Sequence, residues 1–330
     1  MYAASLDRAW GDFVRRFLLS ALIIGSCGFW VPSKAAAEEH LIAVIMASSQ
    51  PRYHAIHSVF VKNAGDFCAK DCRIYVQTPN ADIMSLRNSV RKAIALGAEL
   101  IVAYGPLATI AAQAEIPPVP ILFVDVYDPV GLKIVSSETL TGRNMTGIRG
   151  DAPVQGLFKY FTDTVEVQKL GILYDIHSPE ALLQKRTLEE SSKRKGIAVF
   201  SVGVGDTHNY LAPLGTLPDD VDGVFIASSE HYEPQLDYVL GYTNARKIPV
   251  ITQLAGAADS GAFMVLETST LEQGEKLAEM AGQVLSGEDV NQIPMRKPHD
   301  ISFVINLKVA RDLAIKVPIQ TLSVASRVVH

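Results

Sequence analysis

Continuous apolar runs of strand length, separated by stretches of helical amphipathic period, alternate along this chain, and the alternation starts twice. Leu41 to Met46 reads as a first strand, followed by a helix to about Phe67, and Arg73 to Gln77 as a second strand. From Asp82 to Leu96 the period is helical, with Ile83, Leu86, Val90, Ala93 and Leu96 on one side, and Leu100 to Tyr104 and Ile121 to Val126 supply two more buried strands. Strands apolar on both faces and joined by helices belong to parallel sheets covered on both sides. The second set has a helix over Pro153 to Phe161, a strand over Lys169 to Tyr174, a polar-faced helix over Ser178 to Lys195, and strands at Ala198 to Val202, Asp222 to Ala227 and Pro249 to Thr252. The predicted fold is α/β, with two Rossmann-like lobes joined near Gly142 to Gly150. Ligands of open parallel sheets sit beyond the carboxyl ends of the strands, so two facing lobes place a site between them.

Ahead of the first strand, Arg15 and Arg16 precede an apolar run from Phe17 to Val31, followed by Pro32 and the small-residue tract Ala35-Ala36-Ala37. This order has the form of a signal peptide over residues 1–37, and it predicts a mature chain beginning near Glu38 outside the cytoplasm, in the periplasm. A retained anchor or a buried helix is the other reading of the apolar run, which is short for a membrane span. Ile24-Gly25-Ser26-Cys27 also resembles a lipobox, which would leave Cys27 acylated; the residues after it, Gly28 to Val31, are apolar where a polar tether is usual. After such cleavage roughly 290 of the 330 residues remain, more than one compact core usually takes and enough for two lobes. The formal net charge is −5 and lysines and arginines are scattered. The densest cluster, Lys193-Arg194-Lys195, falls at a helix end, where cations offset the helix dipole, so no nucleic-acid partner is expected.

Cys68 and Cys72 lie four residues apart in a chain bound for an oxidising compartment, which suggests a disulfide. On a regular helix that spacing separates the Cβ atoms by about 5–6 Å, wider than a disulfide prefers, so the bond requires the chain around Ala69-Lys70-Asp71 to leave the helix. No third ligand lies nearby for a metal site, and no cofactor is expected. Nucleophile elbow, Walker loop and zinc-helix motifs are absent from the sequence. Val202-Gly203-Val204-Gly205-Asp206 lacks the third glycine of a dinucleotide loop, and His54 and His57 make a polar helix face without a placed carboxylate. The expectation is a binding protein and not an enzyme.

Five segments carry a family resemblance in order: Asp128-Pro129-Val130-Gly131, Asn144-Met145-Thr146-Gly147-Ile148, Gly171-Ile172-Leu173-Tyr174, Gly274 to Pro294 with Gly287-Glu288 and Ile293-Pro294, and Ile305-Asn306-Leu307-Lys308 with Ala310. Together they resemble the ABC-transporter substrate-binding family that includes tryptophan- and phenylalanine-binding receptors. The resemblance implies a type I periplasmic-binding architecture with three inter-lobe crossovers, one lobe over residues 38–145 plus 268–288 and the other over 146–267 plus 289–330. It further implies a monomer that closes on a small ligand, an amino acid or related small carboxylate, and docks on an ABC permease in the inner membrane. An exported receptor that presents its closed form to a membrane signalling protein is the alternative.

Candidate ligand-binding residues follow from the loops at the strand ends. In the first lobe they are Ser48, Ser49, Gln50, Gly105, Pro106, Leu107, Ala108, Tyr127 and Asp128; in the second, Tyr174, Asp175, Ser228, Ser229, Glu230 and Gln253. Helix N-termini after such loops expose unpaired N–H groups whose dipoles favour anions, so a ligand carboxylate can be held without an arginine; Pro106 fits a first helical turn and leaves the amides of Leu107 and Ala108 as donors. Helix capping by the serines, packing of Tyr127 beneath the hinge and a turn-fixing role for Asp128 before Pro129 are the alternative readings. Three loops depart from the family: Gly105 replaces a small hydroxyl residue, Leu254-Ala255 replace an acidic pair, and Gln50-Pro51-Arg52-Tyr53-His54 replace a histidine-proline loop. A buried ammonium needs a partner, which leaves Asp128, Asp175 or Glu230 to supply it.

Overall fold

The computed structural model describes residues 40–330 apart from 66, 67, 69–71, 140, 151, 206–210 and 230–234. The expected signal segment, Cys27 and Glu230 therefore lie outside the described residues. From Glu39 to His330 the chain forms a compact unit, and within it two sheets carry separate cores.

The first sheet is built from β1 (His40–Met46), α1 (Pro51–Ala64), β2 (Cys72–Gln77), α2 (Ile83–Ala95), β3 (Leu100–Tyr104), α3 (Gly105–Glu115), β4 (Ile121–Val126) and β5 (Met145–Arg149). Its strand order is β2-β1-β3-β4-β5, parallel throughout. Local chemistry sets the helix starts: Pro51 opens α1, and the Asp82 carboxylate accepts from Ser85 N at 2.8 Å to cap α2. Beyond the end of α1, Cys68 and Cys72 are joined in a disulfide with Cα atoms 5.2 Å apart.

The chain then enters the second lobe through α4 (Val154–Thr164), β6 (Lys169–Asp175), α5 (Pro179–Lys195), β7 (Ala198–Val204), α6 (Leu211–Leu214), β8 (Gly223–Ile226), α7 (Leu236–Ala245), β9 (Val250–Thr252), α8 (Ala257–Ser260) and β10 (Met264–Thr268). It returns to the first lobe in α9 (Thr270–Leu285) and crosses back to β11 (Ile301–Asn306), α10 (Leu307–Asp312), α11 (Ile319–Ser323) and β12 (Arg327–Val329). The second sheet runs β12-β11-β10-β9-β8-β6-β7. It is parallel from β7 to β10, and β11 then pairs antiparallel to β10. The lysine-arginine cluster ends α5, which starts on the Ser178 cap and stops at Gly196 with φ 71°.

Helix α9 belongs to the first core, where Leu277, Ala278, Met280 and Ala281 are buried against the β1–β5 layer. Gly274 permits its approach to α1: a Cβ there would lie 2.5 Å from Val59 Cβ and 2.7 Å from Ile56 O. Two lobe boundaries fall later than the sequence predicts. Residues 145–149 remain in the first sheet as β5, and Val290, Ile293 and Met295 stay in the first core. The segment around Arg296 runs along β5, with Arg296 N donating to Gly147 O at 2.9 Å and Arg149 N to Arg296 O at 3.0 Å. A five-residue strand with a central glycine reads as a loop, yet Gly147 is required because a Cβ would sit 2.1 Å from Phe123 O. Among the described residues no helix is long and apolar enough to cross a membrane.

Candidate ligand-binding cleft

The carboxyl ends of strands from both sheets converge on one cleft of about 60 Å³. Gln50, Tyr127 and Gly150 contribute from the first-lobe side, and Ser228, Ser229 and Gln253 from the second. The lobes touch across it: Gln50 Nε2 donates to Ser229 O at 3.2 Å. Outside the lining, Gly131 faces α5 so closely that a Cβ would lie 3.0 Å from Leu183 Cδ2. This is a closed arrangement.

Arg52, in the first turn of α1, is the cation among the described lining residues. Its Nε and Nη2 donate to Asp125 Oδ2 and Oδ1 at 2.7 and 2.8 Å, a bidentate pair whose side chains are 13 % and 11 % exposed. Nη1 also donates to Thr268 O at 3.0 Å and Nη2 to Thr268 Oγ1 at 2.5 Å. Burial opposes the Arg52 charge, but the adjacent Asp125 carboxylate more than offsets it, and the guanidinium pKa moves up. Asp125 takes its position through a left-handed backbone, φ 58°, at the irregularity where β4 and β5 shift register. Gly150 must be glycine beside it, since a Cβ would fall 2.3 Å from Asp125 Oδ1. Beneath the cleft, Tyr53 meets Tyr104 edge-on at 6.1 Å, and burial pushes the Tyr104 hydroxyl pKa well up and the His57 pKa down.

On the second-lobe face the organiser is Gln184 of α5, which is fully buried. Its Oε1 accepts from Ser228 N at 2.8 Å, and its Nε2 lies 3.1 Å from Ser228 Oγ and 3.2 Å from both Gln253 Oε1 and Glu180 Oε1. Gln253 Nε2 in turn donates to Ala152 O at 2.8 Å, tying the loop after β9 to the first inter-lobe connection. Ser229 Oγ donates to the buried Asp175 carboxylate at 2.7 Å, and Asp175 Oδ1 accepts from His177 N at 2.8 Å. Glu267, next to the end of β10, accepts from Gly256 N at 2.9 Å through Oε2. Among the described residues, Asp125, Glu180 and Glu267 thus line the cleft against the guanidinium of Arg52.

Of the residues singled out in the sequence, Gln50, Tyr127, Ser228, Ser229 and Gln253 line this cleft. Ser48, Ser49, Gly105, Pro106, Leu107, Ala108, Asp128, Tyr174 and Asp175 are not among its lining residues. Gly105, Pro106 and Ala108 are buried in the first turn of α3, and Ser48 Oγ is buried with no hydrogen-bond partner. Asp128, φ 35°, closes its own turn by accepting from Gly131 N at 3.0 Å, and Tyr174 lies under Lys185 Nζ, 5.3 Å from the ring centre. Asp175 acts one step back, by holding Ser229.

Residues 42–329 match the family of ABC transporter substrate-binding proteins. The chain belongs to this family. Its members are solute-binding proteins and not enzymes, and they work outside the cytoplasm. A curated relative, the tyrosine-binding protein of Clostridioides difficile (strain R20291), is 24% identical over 251 residues, 75% of this chain and 73% of that protein. The fold is shared with an ABC domain in complex with L-Trp from Streptococcus pneumoniae, at TM-score 0.82 and 19% identity over 88% of this chain and 100% of that one. It is shared less closely with an ABC transporter solute-binding protein from Bacillus halodurans with bound myo-inositol, at TM-score 0.60 and 13% identity over 85% and 99%. Because one architecture serves such different solutes, the ligand class of this family member is written in its cleft.

Sequence reasoning missed Arg52, Asp125, Glu180 and Glu267. The first had a visible signal, an arginine standing in the loop that departs from the family pattern. Asp125 carries one too, as a charge inside an otherwise apolar strand. Glu180 sits in a helix turn and Glu267 at the end of a strand not recognised as one, so neither stood out.

Proposed function

We propose that this chain is the extracytoplasmic receptor of an ABC importer, that it holds a small solute, an amino acid by preference, between its lobes, and that the closed form docks as a monomer on an inner-membrane permease. One observation carries the reading: strand ends from both sheets face a common cavity and the lobes meet across it, so a solute held there couples binding to closure. The charge inventory supports an amino acid. Glu267, whose Oε2 accepts from Gly256 N beside the altered Leu254-Ala255 loop, offers an acceptor for an ammonium group. Ser228 accepts from Gln184 through Oγ, which leaves its hydroxyl hydrogen for a ligand carboxylate. The names of the relatives, tyrosine-binding and L-Trp-bound, point the same way. Export through residues 1–37, with or without acylation of Cys27, places the receptor where an importer needs it.

The test is a thermal-shift screen of residues 39–330, denatured and refolded to remove carried-over solute, against amino acids, small carboxylates, sugars and nucleosides. A solute at a hundred times its Kd adds about 2.7 kcal/mol of stability. Shifts with aromatic or branched amino acids are expected. A shift only with a sugar or nucleoside overturns the amino-acid reading and keeps the receptor; no shift with any solute class counts against the receptor itself.

A further inference from the structure

The Arg52 guanidinium has five N–H groups, and four of its hydrogen bonds are already made inside the protein: two to Asp125, one to Thr268 O and one to Thr268 Oγ1. One N–H remains, and a bidentate grip on a ligand carboxylate needs two. The acceptors it does serve belong to different parts of the molecule. Asp125 is at the end of β4 in the first sheet, whereas Thr268 is the last residue of β10 in the second, where the chain crosses between lobes. Thr268 Oγ1 goes on to donate to Gly150 O at 3.0 Å, on the other connection, the one that follows β5. Gln273 of α9, fully buried, braces the assembly by donating from Nε2 to Asp125 Oδ1 at 3.3 Å and to Thr268 Oγ1 at 3.1 Å. One side chain thereby fastens α1, the end of β4 and two inter-lobe connections together.

We propose that Arg52 is a positioning residue that sets the open–closed equilibrium by clasping two inter-lobe connections to the first lobe, and that it does not receive the ligand carboxylate. Opening the cleft swings β10 with the second sheet, and the bonds from Arg52 to Thr268 join β10 to the first helix of the other lobe. They are therefore made in the closed form and stretched in the open one. A group with such a difference between two states biases their populations, and loss of the bias lowers apparent affinity in proportion to the lost closed fraction.

Gln273 makes the proposal separable from a direct ligand contact, because it supports the clasp without lining the cleft. Arg52→Met, Thr268→Val and Gln273→Met, in residues 39–330, are compared with the parent by small-angle scattering without added solute, with urea unfolding to establish that each variant is folded. All three are expected to have a larger radius of gyration than the parent, and Arg52→Lys, which lacks the fork, to resemble Arg52→Met. An unchanged radius in every folded variant overturns the proposal; if Arg52→Met does not fold, Thr268→Val and Gln273→Met decide it. The inference rests on the receptor reading, and L-tyrosine titrations keep the two apart. Failure of the parent to bind L-tyrosine counts against the amino-acid ligand and leaves the scattering result standing. Tenfold weaker binding by Arg52→Met alone, with every radius unchanged, would make Arg52 a ligand contact.

Discussion

Substituting alanine for glycine in a helix normally stabilises it, by roughly 0.8–1.0 kcal/mol, because the glycine backbone has more freedom to lose. Gly274 should reverse that sign. Its missing Cβ would sit 2.5 Å from Val59 Cβ and 2.7 Å from the Ile56 carbonyl oxygen. Neither atom is at the end of a flexible side chain, so α9 and α1 must move apart, and both are anchored in the first core. Overpacking of this kind costs about 1–3 kcal/mol, and the larger values apply where backbone is struck. Subtracting the helix gain of about 1 kcal/mol leaves Gly274→Ala destabilised by up to about 2 kcal/mol. Gly241 is the internal control: it is exposed in α7 and nothing lies within 4 Å of its Cβ position. Gly241→Ala should gain up to about 1 kcal/mol. Urea unfolding of the two variants beside the parent measures both, with tyrosine fluorescence and far-UV dichroism together testing whether the lobes unfold as one. If Gly274→Ala is as stabilising as Gly241→Ala, the close approach of the two helices is not what requires glycine there.

Glu272 is held down to a pKa of about 2; burial alone would raise it, but Lys276 and the backbone N–H groups of Asp300 and His299 outweigh burial. With the folded value below the ordinary 4.5, its stabilisation is complete above about pH 4.5 and is lost as pH falls towards 2. Glu272→Gln should flatten the acid limb of a stability–pH curve while changing the neutral-pH shape little. Glu267→Gln should weaken binding of an amino acid at least tenfold by calorimetry, with unchanged thermal stability of the solute-free protein; equal binding would remove Glu267 as the ammonium acceptor. Reducing the Cys68–Cys72 bond, or replacing both cysteines by serine, should cost about 2 kcal/mol or less in urea unfolding, since the loop it closes is short.

β1, β3, β4, β6, β8 and β9 were legible because burial on both faces leaves an unbroken hydrophobic mark, and the edge strands β2 and β7 were placed by their short β-branched runs between helices. β5 was not, since Gly147 and Thr146 interrupt it and its identity depends on Phe123 lying across from it. Nor were β10, β11 and β12, edge or near-edge strands whose residues include Glu267, Ser302 and Arg327. The cleft followed the same logic. Loops placed by recognised strands gave Gln50, Tyr127, Ser228, Ser229 and Gln253, while Thr268 and Glu267 depended on the unrecognised β10. Arg52 and Asp125 are 73 residues apart in sequence, and only the register irregularity of β4 and β5 turns the carboxylate towards α1.

The first core closes with Leu277, Met280, Ile293 and Met295, residues that follow most of the second lobe in the chain. A ribosome or a translocation channel delivers residues in order, so the amino-terminal lobe stays unfinished until most of the polypeptide has emerged. The second lobe waits as well, because β11 and β12 lie beyond α9. Interleaved in this way, neither half can complete its burial early, and a partly made chain remains threadable for as long as its passage requires.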